Sequence, residues 1–371
     1  MRIMIVTNEF PPDKVAGTAM ATDALARKLV ERNYEILVAV VRSDRQTAGT
    51  SAPADHIKRF SGKPVKGTGW IVRLFFVFNQ ARRFKPNVIQ GQALSCGLLA
   101  SITGRLLGIP AITYAQGQDF YQARKWQKAT EIRFSCLLPD AVAAVSDDLG
   151  RRLEKEYRLP DVNKIPHGFE ARTDDRFKKI LEEKNPQISK GPIVICVGRL
   201  EAVKGQDILL TAWRKIAQQH PDAALWLVGD GSLKHNLQQM SQYLGIDSSV
   251  TFWGNLAHPK VMALMETADL LVLPSRSEAF GIVLLEAMSK GLPVVATAVD
   301  GVKEVLPVDG DVYPVLRPTP ELFSRAIERA LEEDRRPSRK NRAWAEQYNW
   351  DKVAERFERL YVQVLRSKKL P

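Results

Sequence analysis

Short aliphatic, β-branched runs alternate along the chain with stretches of helical periodicity. Residues 2–7 read as a buried strand, residues 18–32 as a helix and residues 36–41 as a second strand. Val88-Ile89, 111–114 and 141–145 continue the strand series, with helical segments between them. A strand, then a polar or glycine-bearing loop, then a helix is the pattern of a parallel α/β sheet. Such sheets bind ligands beyond the carboxyl ends of their strands.

The rhythm breaks after Pro166-His167-Gly168-Phe169. Residues 170–190 are charged, contain Pro186 and hold no strong strand, so 171–190 is read as a linker region. A second series then opens, with strands expected at 193–197, 224–228, 250–252, 270–273 and 294–297. The stretch 319–368 reads as helices, in which Trp344, Tyr348, Trp350, Phe357 and Tyr361 are expected to pack. The pattern thus predicts a first domain over 1–170 and a second over 191–349. The two are alike in architecture without a sequence repeat.

Composition narrows the class. A chain of 371 residues with 45% hydrophobic and 26% charged residues suits two folded domains, not a disordered, collagenous or coiled-coil chain. No apolar run reaches the roughly 18–20 residues of a membrane span. The first residues run straight into a strand without a small-residue cleavage site, so no secretory leader is expected. The three cysteines (Cys96, Cys136, Cys196) lie far apart in apolar contexts, which points to buried thiols in a reducing compartment and to a cytoplasmic protein. The five histidines show no metal-ligand spacing.

Charge changes the picture more. The formal net charge is +12 and the isoelectric point near 9.6, a balance that favours anionic partners. The excess lies in the first half. Between residues 36 and 139 a long series of lysines and arginines faces only Asp44, Asp55, Asp119 and Glu131. The segment Gly69-Trp70-Ile71-Val72-Arg73-Leu74-Phe75-Phe76-Val77-Phe78, followed by Arg82-Arg83-Phe84-Lys85, is aromatic and basic together. Phe75, Phe76 and Phe78 read first as core residues of a helix. The other reading is contact with an anionic membrane surface.

The second half carries the chemistry. In Val197-Gly198-Arg199-Leu200-Glu201-Ala202-Val203-Lys204-Gly205 a strand ends, a loop presents two cations and a helix begins, an arrangement suited to a diphosphate. The plain alternative is two surface charges on a loop. In Ser275-Arg276-Ser277-Glu278-Ala279-Phe280-Gly281-Ile282-Val283-Leu284-Leu285-Glu286 an apolar strand is followed by a loop with Glu278. A helix then opens near Phe280, Gly281 and Ile282 and carries Glu286 further in. Its first N–H groups and the two carboxylates could hold phosphate and sugar or ribose hydroxyls. The alternative is a helix cap with a solvent-facing glutamate.

Val228-Gly229-Asp230-Gly231-Ser232 reads as a tight turn beside a nucleotide. It lacks the third glycine of a dinucleotide fingerprint, and Asp247 falls in a turn and not at a strand end. No P-loop pattern is present. Asp309-Gly310-Asp311 could hold a divalent ion with a diphosphate but reads better as a polar turn.

Taken in order, Gly198-Arg199-Leu200 with Lys204-Gly205, Gly229-Asp230-Gly231, Phe252-Trp253-Gly254, and Glu278 with Glu286 spaced E-x7-E resemble retaining glycosyltransferase family 4. The opening Ile5-Val6-Thr7-Asn8-Glu9-Phe10-Pro11-Pro12 and Ile165-Pro166-His167-Gly168 fit the same family, so the resemblance covers most of the chain. It implies the GT-B fold, two Rossmann-like α/β domains facing across a cleft. The C-terminal helix, 350–371, would cross back to the first, acceptor-side domain.

The resemblance also implies roles. Arg199 and Lys204 would hold the donor diphosphate and stabilise the leaving nucleotide, where negative charge builds in the transition state. Glu278 would bind the transferred sugar, with backbone groups of Phe280, Gly281 and Ile282. Glu286 would bind the ribose, and Gly229, Gly231 and Gly254 would shape the base site. Gly17, in the loop after the first strand, would let backbone approach the donor or acceptor, although Ala16 stands where the family often has another glycine. The family's H-G-x-D segment reads Gln116-Gly117-Gln118-Asp119 here. Gln116 can hydrogen-bond but cannot carry a proton as imidazole does, which bears on a catalytic role at that position; Asp119 would lie on the acceptor side.

The resulting expectation is a retaining hexosyltransferase. It would move a sugar from a nucleotide sugar, UDP-linked first and GDP-mannose second, to a glycan or lipid-linked acceptor in surface polysaccharide or glycolipid synthesis. Neither a metal nor another cofactor is expected, since Arg199 and Lys204 can supply the charge. The expected site is cytoplasmic, with peripheral contact on the inner face of the cell membrane. Two rival readings are a GT-B nucleotide-sugar epimerase and a basic nucleic-acid-binding protein. The latter lacks the aromatic-basic modules of single-strand binders, so no nucleic-acid partner is expected.

Overall fold

The computed structural model describes residues 1–11, 17–42, 57–60, 69–117, 120, 127–159, 161–184, 190–333 and 337–368. The chain divides into two compact units, Met1–Gly168 with Trp350–Pro371, and Phe169–Asn349. Both are α/β with parallel sheets, as the alternation predicts. Among the described residues, no helix is long and apolar enough to cross a membrane.

The strands of unit 1 are β1 (Arg2–Thr7), β2 (Glu35–Val40), β3 (Ile57–Arg59), β4 (Val88–Gln92), β5 (Ala111–Ala115), β6 (Ala141–Ala144) and β7 (Asn163–Lys164). They pair in the order β3-β2-β1-β4-β5-β6-β7, every pair parallel. The helices between them are α1 (Gly17–Glu31), α2 (Gly69–Phe84), α3 (Leu94–Leu107), α4 (Gln127–Leu137) and α5 (Asp147–Tyr157). β1, β4 and β5 are buried along nearly their whole length because helices cover the sheet, which explains the apolar runs of β1 and β5; β4 is apolar only at Val88-Ile89 and buries Gln90 and Gln92 as well. The short outer strands β3 and β7 carry polar residues and are invisible to that pattern.

The chain returns to unit 1 through the helix Trp350–Ser367, whose buried face is Trp350, Val353, Ala354, Phe357, Leu360, Tyr361 and Val364. Phe357 meets Tyr114 edge-on, with ring centroids 5.1 Å apart. The Tyr361 hydroxyl donates to Gln90 Oε1 at 2.5 Å. Arg32 forks onto both carboxylate oxygens of Glu358 at 2.8 and 2.9 Å, joining the end of α1 to this helix.

Unit 2 holds β8 (Ile193–Val197), β9 (Ala224–Val228), β10 (Val250–Gly254), β11 (Leu270–Leu273), β12 (Val294–Thr297) and β13 (Val312–Val315), in the order β10-β9-β8-β11-β12-β13. Its helices are α6 (Asp175–Lys184), α7 (Gln206–Gln219), α8 (Lys234–Tyr243), α9 (His258–Thr267), α10 (Ile282–Ser289), α11 (Val302–Val305), α12 (Pro320–Glu332) and α13 (Arg339–Ala345). Side-chain caps start three of them: Asp174 accepts from Phe177 N–H, Thr319 from Leu322 N–H, and Ser338 from Asn341 N–H. The core gathers around Trp213, Leu225, Leu227 and Phe323, with the Trp213 indole N–H donating to Ser249 at 3.0 Å.

Two expectations are corrected. The segment read as a linker contains α6, which belongs to unit 2. Phe177 packs edge-on against Trp253 with centroids 6.5 Å apart, Leu181 is buried, and Lys178 pairs with Glu266 at 3.0 Å. Phe177, Ile180 and Leu181 do stand at helical spacing, but they are outnumbered by the charged residues around them, so the segment reads as charged before it reads as periodic. The second correction concerns α2. Its buried residues are Val77 and Ala81, whereas Phe75 is 65% exposed and so is not a core residue. Phe76 does pack, partly buried, against the core of unit 1, and meets Phe60 edge-on with centroids 5.5 Å apart.

All three cysteines are free and buried, and burial pushes the thiols of Cys136 and Cys196 up to about 12. Asp309-Gly310-Asp311 leads into β13, a strand missing from the expected series. Asn341 accepts from Asp311 N–H at 3.0 Å and fixes this approach.

One backbone feature stands at the carboxyl end of β4, where the strand order of unit 1 reverses. Ala93 has φ 72° and ψ 161°, a conformation that suits glycine. It is held there because its N–H donates to Tyr114 O at 2.9 Å while its carbonyl accepts from Gly97 N–H at 3.0 Å. Ala93→Gly should therefore stabilise the protein by about 1 kcal/mol, the relieved strain exceeding the added chain entropy of glycine. Equilibrium urea unfolding measures this; equal or lower stability would show the position unstrained.

Candidate functional site

In unit 2 the strand order reverses between β8 and β11, which are parallel neighbours (Leu270 beside Val194, Leu271 beside Ile195). Their following connections leave in opposite directions and open a crevice at the carboxyl ends, where α/β sheets take their ligands. Arg199 and Lys204 follow β8. Glu278 follows β11.

The two loops are locked together. Lys204 Nζ pairs with Glu278 Oε2 across the reversal point, both side chains mostly buried. Arg276 braces the contact from the other side. Its N–H donates to Val203 O at 2.8 Å and its guanidinium to Ala202 O at 2.6 Å, with a fork onto Asp207 at 2.8 and 2.6 Å. Hydrogen bonding from Arg276 holds the Asp207 carboxyl below its usual range, against the effect of its burial. Gly205, at φ 70°, passes so close to β11 that a Cβ there would lie 2.1 Å from Pro274 O.

Arg199 is exposed, and its guanidinium has no ion pair among the described residues. Beside it, Gly229 and Gly231 answer a packing demand. A Cβ on Gly229 (φ 136°) would lie 2.0 Å from Gly198 O, and one on Gly231 2.4 Å from Leu200 O. These glycines let the β9 turn press on the Arg199 loop. Gly254 joins the same layer, its carbonyl accepting from Gly229 N–H at 2.8 Å.

The β11 loop is itself braced by Asp300. One of its carboxylate oxygens accepts from Ser277 Oγ at 2.6 Å and from Glu278 N–H at 3.1 Å. The Phe280 ring is buried against Tyr348, with centroids 5.9 Å apart, so only its backbone could serve a ligand. Gly281 caps α10 at φ 86°. The N–H groups of Ile282 and Val283 belong to the first helical turn, which has no intrahelical acceptor for them.

Glu286, one turn into α10, receives His258 Nε2 at 2.8 Å. Burial pushes the His258 imidazole down, but its hydrogen bond to Glu286 and the charges of Glu286 and Glu170 outweigh that, and its pKa is raised.

In unit 1, Gln116 ends β5 in a buried position, and its amide donates to Gln92 Oε1 at 2.5 Å. Asn8, in the loop after β1, donates to Ser95 Oγ in the first turn of α3 at 2.8 Å. These groups are uncharged, suited to hydroxyls and unable to carry a proton. Gly17 opens α1 with nothing within 4 Å of a Cβ position. Asp119 lies outside the described residues, as does Ala16. His167 is fully buried, and burial pushes it down to about 3, which keeps it neutral.

Sequence reasoning missed His258, Arg276, Asp300 and Gln92. Each acts through a partner 22 to 69 residues distant in the chain or, for Gln92, on the neighbouring strand. None therefore leaves a local motif. Lys204 and Glu278 were legible separately; their contact was not.

Comparison with known proteins places the chain in a family. A family model described as "Glycosyltransferase Family 4" matches residues 15–172, and one described as "Glycosyl transferases group 1" matches residues 177–347. An uncharacterized glycosyltransferase of Methanocaldococcus jannaschii is 26% identical over 97% of this chain and 98% of its own length. N-acetyl-alpha-D-glucosaminyl L-malate synthase of Bacillus anthracis is 32% identical over 64% of this chain and 63% of its own length. Other curated relatives are matched over 39% to 64% of their length.

Among solved structures, sucrose-phosphate synthase from Thermosynechococcus elongatus superposes with a TM-score of 0.82 at 20% identity, covering 99% of both chains. Anabaena HepE in complex with UDP gives 0.79 at 19% identity, over 98% of this chain and 100% of that one. The two matched regions together take in both units, and the chain belongs to glycosyltransferase family 4, the group 1 glycosyl transferases, with the GT-B fold.

Proposed function

We propose that this glycosyltransferase moves a hexosyl group from a nucleotide sugar to a glycan or lipid-linked acceptor with retention of anomeric configuration. The observation that carries the reading is the Lys204–Glu278 pair across the reversal point, with unpaired Arg199 on the same loop. A donor diphosphate there meets two cations, and its β-phosphate can replace the Glu278 carboxylate as the partner of Lys204. Glu278 is then released toward the hydroxyls of the sugar. The bond from the anomeric carbon to the diphosphate oxygen breaks, and the acceptor oxygen bonds to that carbon on the same face. The acceptor proton passes to the departing diphosphate oxygen. Arg199 and Lys204 neutralise charge as it develops on the leaving group. N–H groups of Gly281 and Ile282 and the Glu286 carboxylate complete the donor contacts. Gln116 offers an amide to a hydroxyl and takes no proton.

Uridine is the first choice of base. It is supported by HepE, which shares the fold and has been seen with UDP and with UDP-glucose. GDP-mannose is the second. No observation favours an epimerase or a nucleic-acid-binding protein.

The acceptor reading draws on α2. Ile71 and Phe75 are 64% and 65% exposed, Trp70 and Val72 are also exposed, and Arg82 and Arg83 follow on the outer side of the same helix. Apolar rings beside arginines match the interface of an anionic bilayer, in which rings enter the headgroup layer and cations meet lipid phosphate. A lipid-linked acceptor would be presented at such a surface, on the cytoplasmic side of the cell membrane.

Calorimetry with UDP, GDP and ADP should show one nucleotide binding well above the others. Arg199→Ala should weaken it by about ten- to a hundredfold, the worth of charge-assisted hydrogen bonds; binding of none would remove the nucleotide-site reading. Proton NMR of the first-formed product should show the donor's anomeric configuration, and the inverted anomer would exclude retention. Vesicles rich in phosphatidylglycerol should co-sediment the wild type at low salt, with Ile71→Ser/Phe75→Ser lost from the pellet. Equal sedimentation of both would exclude α2 as the contact.

A further inference from the structure

The two carboxylates of the E-x7-E pair are held by different kinds of cation. Glu278 faces the ammonium of Lys204. Glu286 faces His258, a group that changes charge near neutrality. Nothing in the motif requires this second partner, since His258 opens α9 while Glu286 lies on α10, 28 residues later.

We propose that His258 is a positioning residue for Glu286, and that the nucleotide sugar binds preferentially to the form of the protein in which His258 is protonated. The proposal rests on the donor-site reading above.

The geometry supports both halves. The side chains are 22% and 14% exposed, so the pair is largely withdrawn from solvent, where a charge change is weakly screened. His258 takes Oε1 of Glu286, and Oε2 has no hydrogen-bond partner among the described residues. One oxygen is therefore anchored and the other is available to a ribose diol. Across the loops of the same unit, Arg199 and Lys204 await the diphosphate. With His258 protonated, the charge of Glu286 is balanced, and the anionic donor meets no uncompensated carboxylate. With His258 neutral, its Nε2–H tautomer keeps the hydrogen bond, but the full negative charge of Glu286 then opposes the donor.

Charged groups on every side set where the change falls. Glu286 on α10 and Glu170 ahead of α6 favour the imidazolium. Lys290, just past α10, opposes it, but its ammonium is tied to Glu266, which also holds Lys178. The imidazole is raised above its ordinary value despite burial. A raised group keeps its proton at lower pH and releases it as pH rises through that value. Donor affinity should therefore fall as pH rises, and by reciprocity the donor should raise His258 further.

The test uses UDP-glucose and GDP-mannose as probes, because their diphosphate diesters have no proton to exchange near neutrality. Calorimetry is run from about pH 6 to about pH 9, the span across which a histidine titrates. The wild type should lose about fivefold in affinity across it. His258→Gln, which keeps a hydrogen-bond donor without a titrating charge, should bind with flat affinity close to the wild type's high-pH value. Imidazole NMR gives a readout that needs no turnover and no variant of His258. The His258 resonance should titrate above an ordinary histidine, move down in Glu286→Gln, and move up when the probe binds.

A wild type that binds a probe with pH-independent affinity overturns the inference while leaving the donor-site reading intact. So does a His258→Gln variant that keeps the wild-type slope, or a His258 resonance indifferent to Glu286→Gln. A protein that binds neither probe at any pH loses the donor-site reading and this inference with it.

Discussion

The structure of the site depends on one ion pair placed where the sheet of unit 2 reverses direction. Lys204 and Glu278 come from loops whose strands are neighbours in space but 74 residues apart in the chain. Each would be costly to leave alone in a half-buried crevice, because a charge withdrawn from water needs a partner. Together they tie the loop after β8 to the loop after β11. Arg276 ties the same two loops a second time, through Ala202 O and the Asp207 carboxylate.

Close backbone approach is the second condition. Gly205, Gly229 and Gly231 are each pressed on a carbonyl of a neighbouring loop, at distances no Cβ could tolerate. The turn that reads in the sequence as a nucleotide-side glycine pair therefore has a prior structural duty. It sets the depth at which Arg199 stands. The same residues can serve packing and ligand at once, since bringing loop backbones together at the carboxyl ends of strands is also what makes a narrow anion site.

Unit 1 is arranged on the same plan with different chemistry. At its own reversal point stand Asn8, Gln92, Ser95 and Gln116, a set of neutral hydrogen-bonding groups, with Ala93 held in a backbone conformation that suits glycine. Charge instead gathers on the surface of this unit, where α2 leaves aromatic and basic side chains exposed together.

By itself the sequence determined the α/β class, because strands buried on both faces must be continuous apolar runs. It also located the candidate residues relative to the strands, because each follows a strand directly: Arg199 and Lys204 after β8, Glu278 after β11, Gln116 at the end of β5. Strands of two or three residues escaped because they are too short to show a period, and α6 because its charged residues outnumber the apolar ones that carry its period, Phe177, Ile180 and Leu181. Tertiary structure alone decided which groups meet. The order of strands in the sheet, which no local pattern encodes, put Lys204 against Glu278. Packing of α9 beside α10 put His258 on Glu286, and the way α2 lies on its sheet left Phe75 facing out while Val77 faces in.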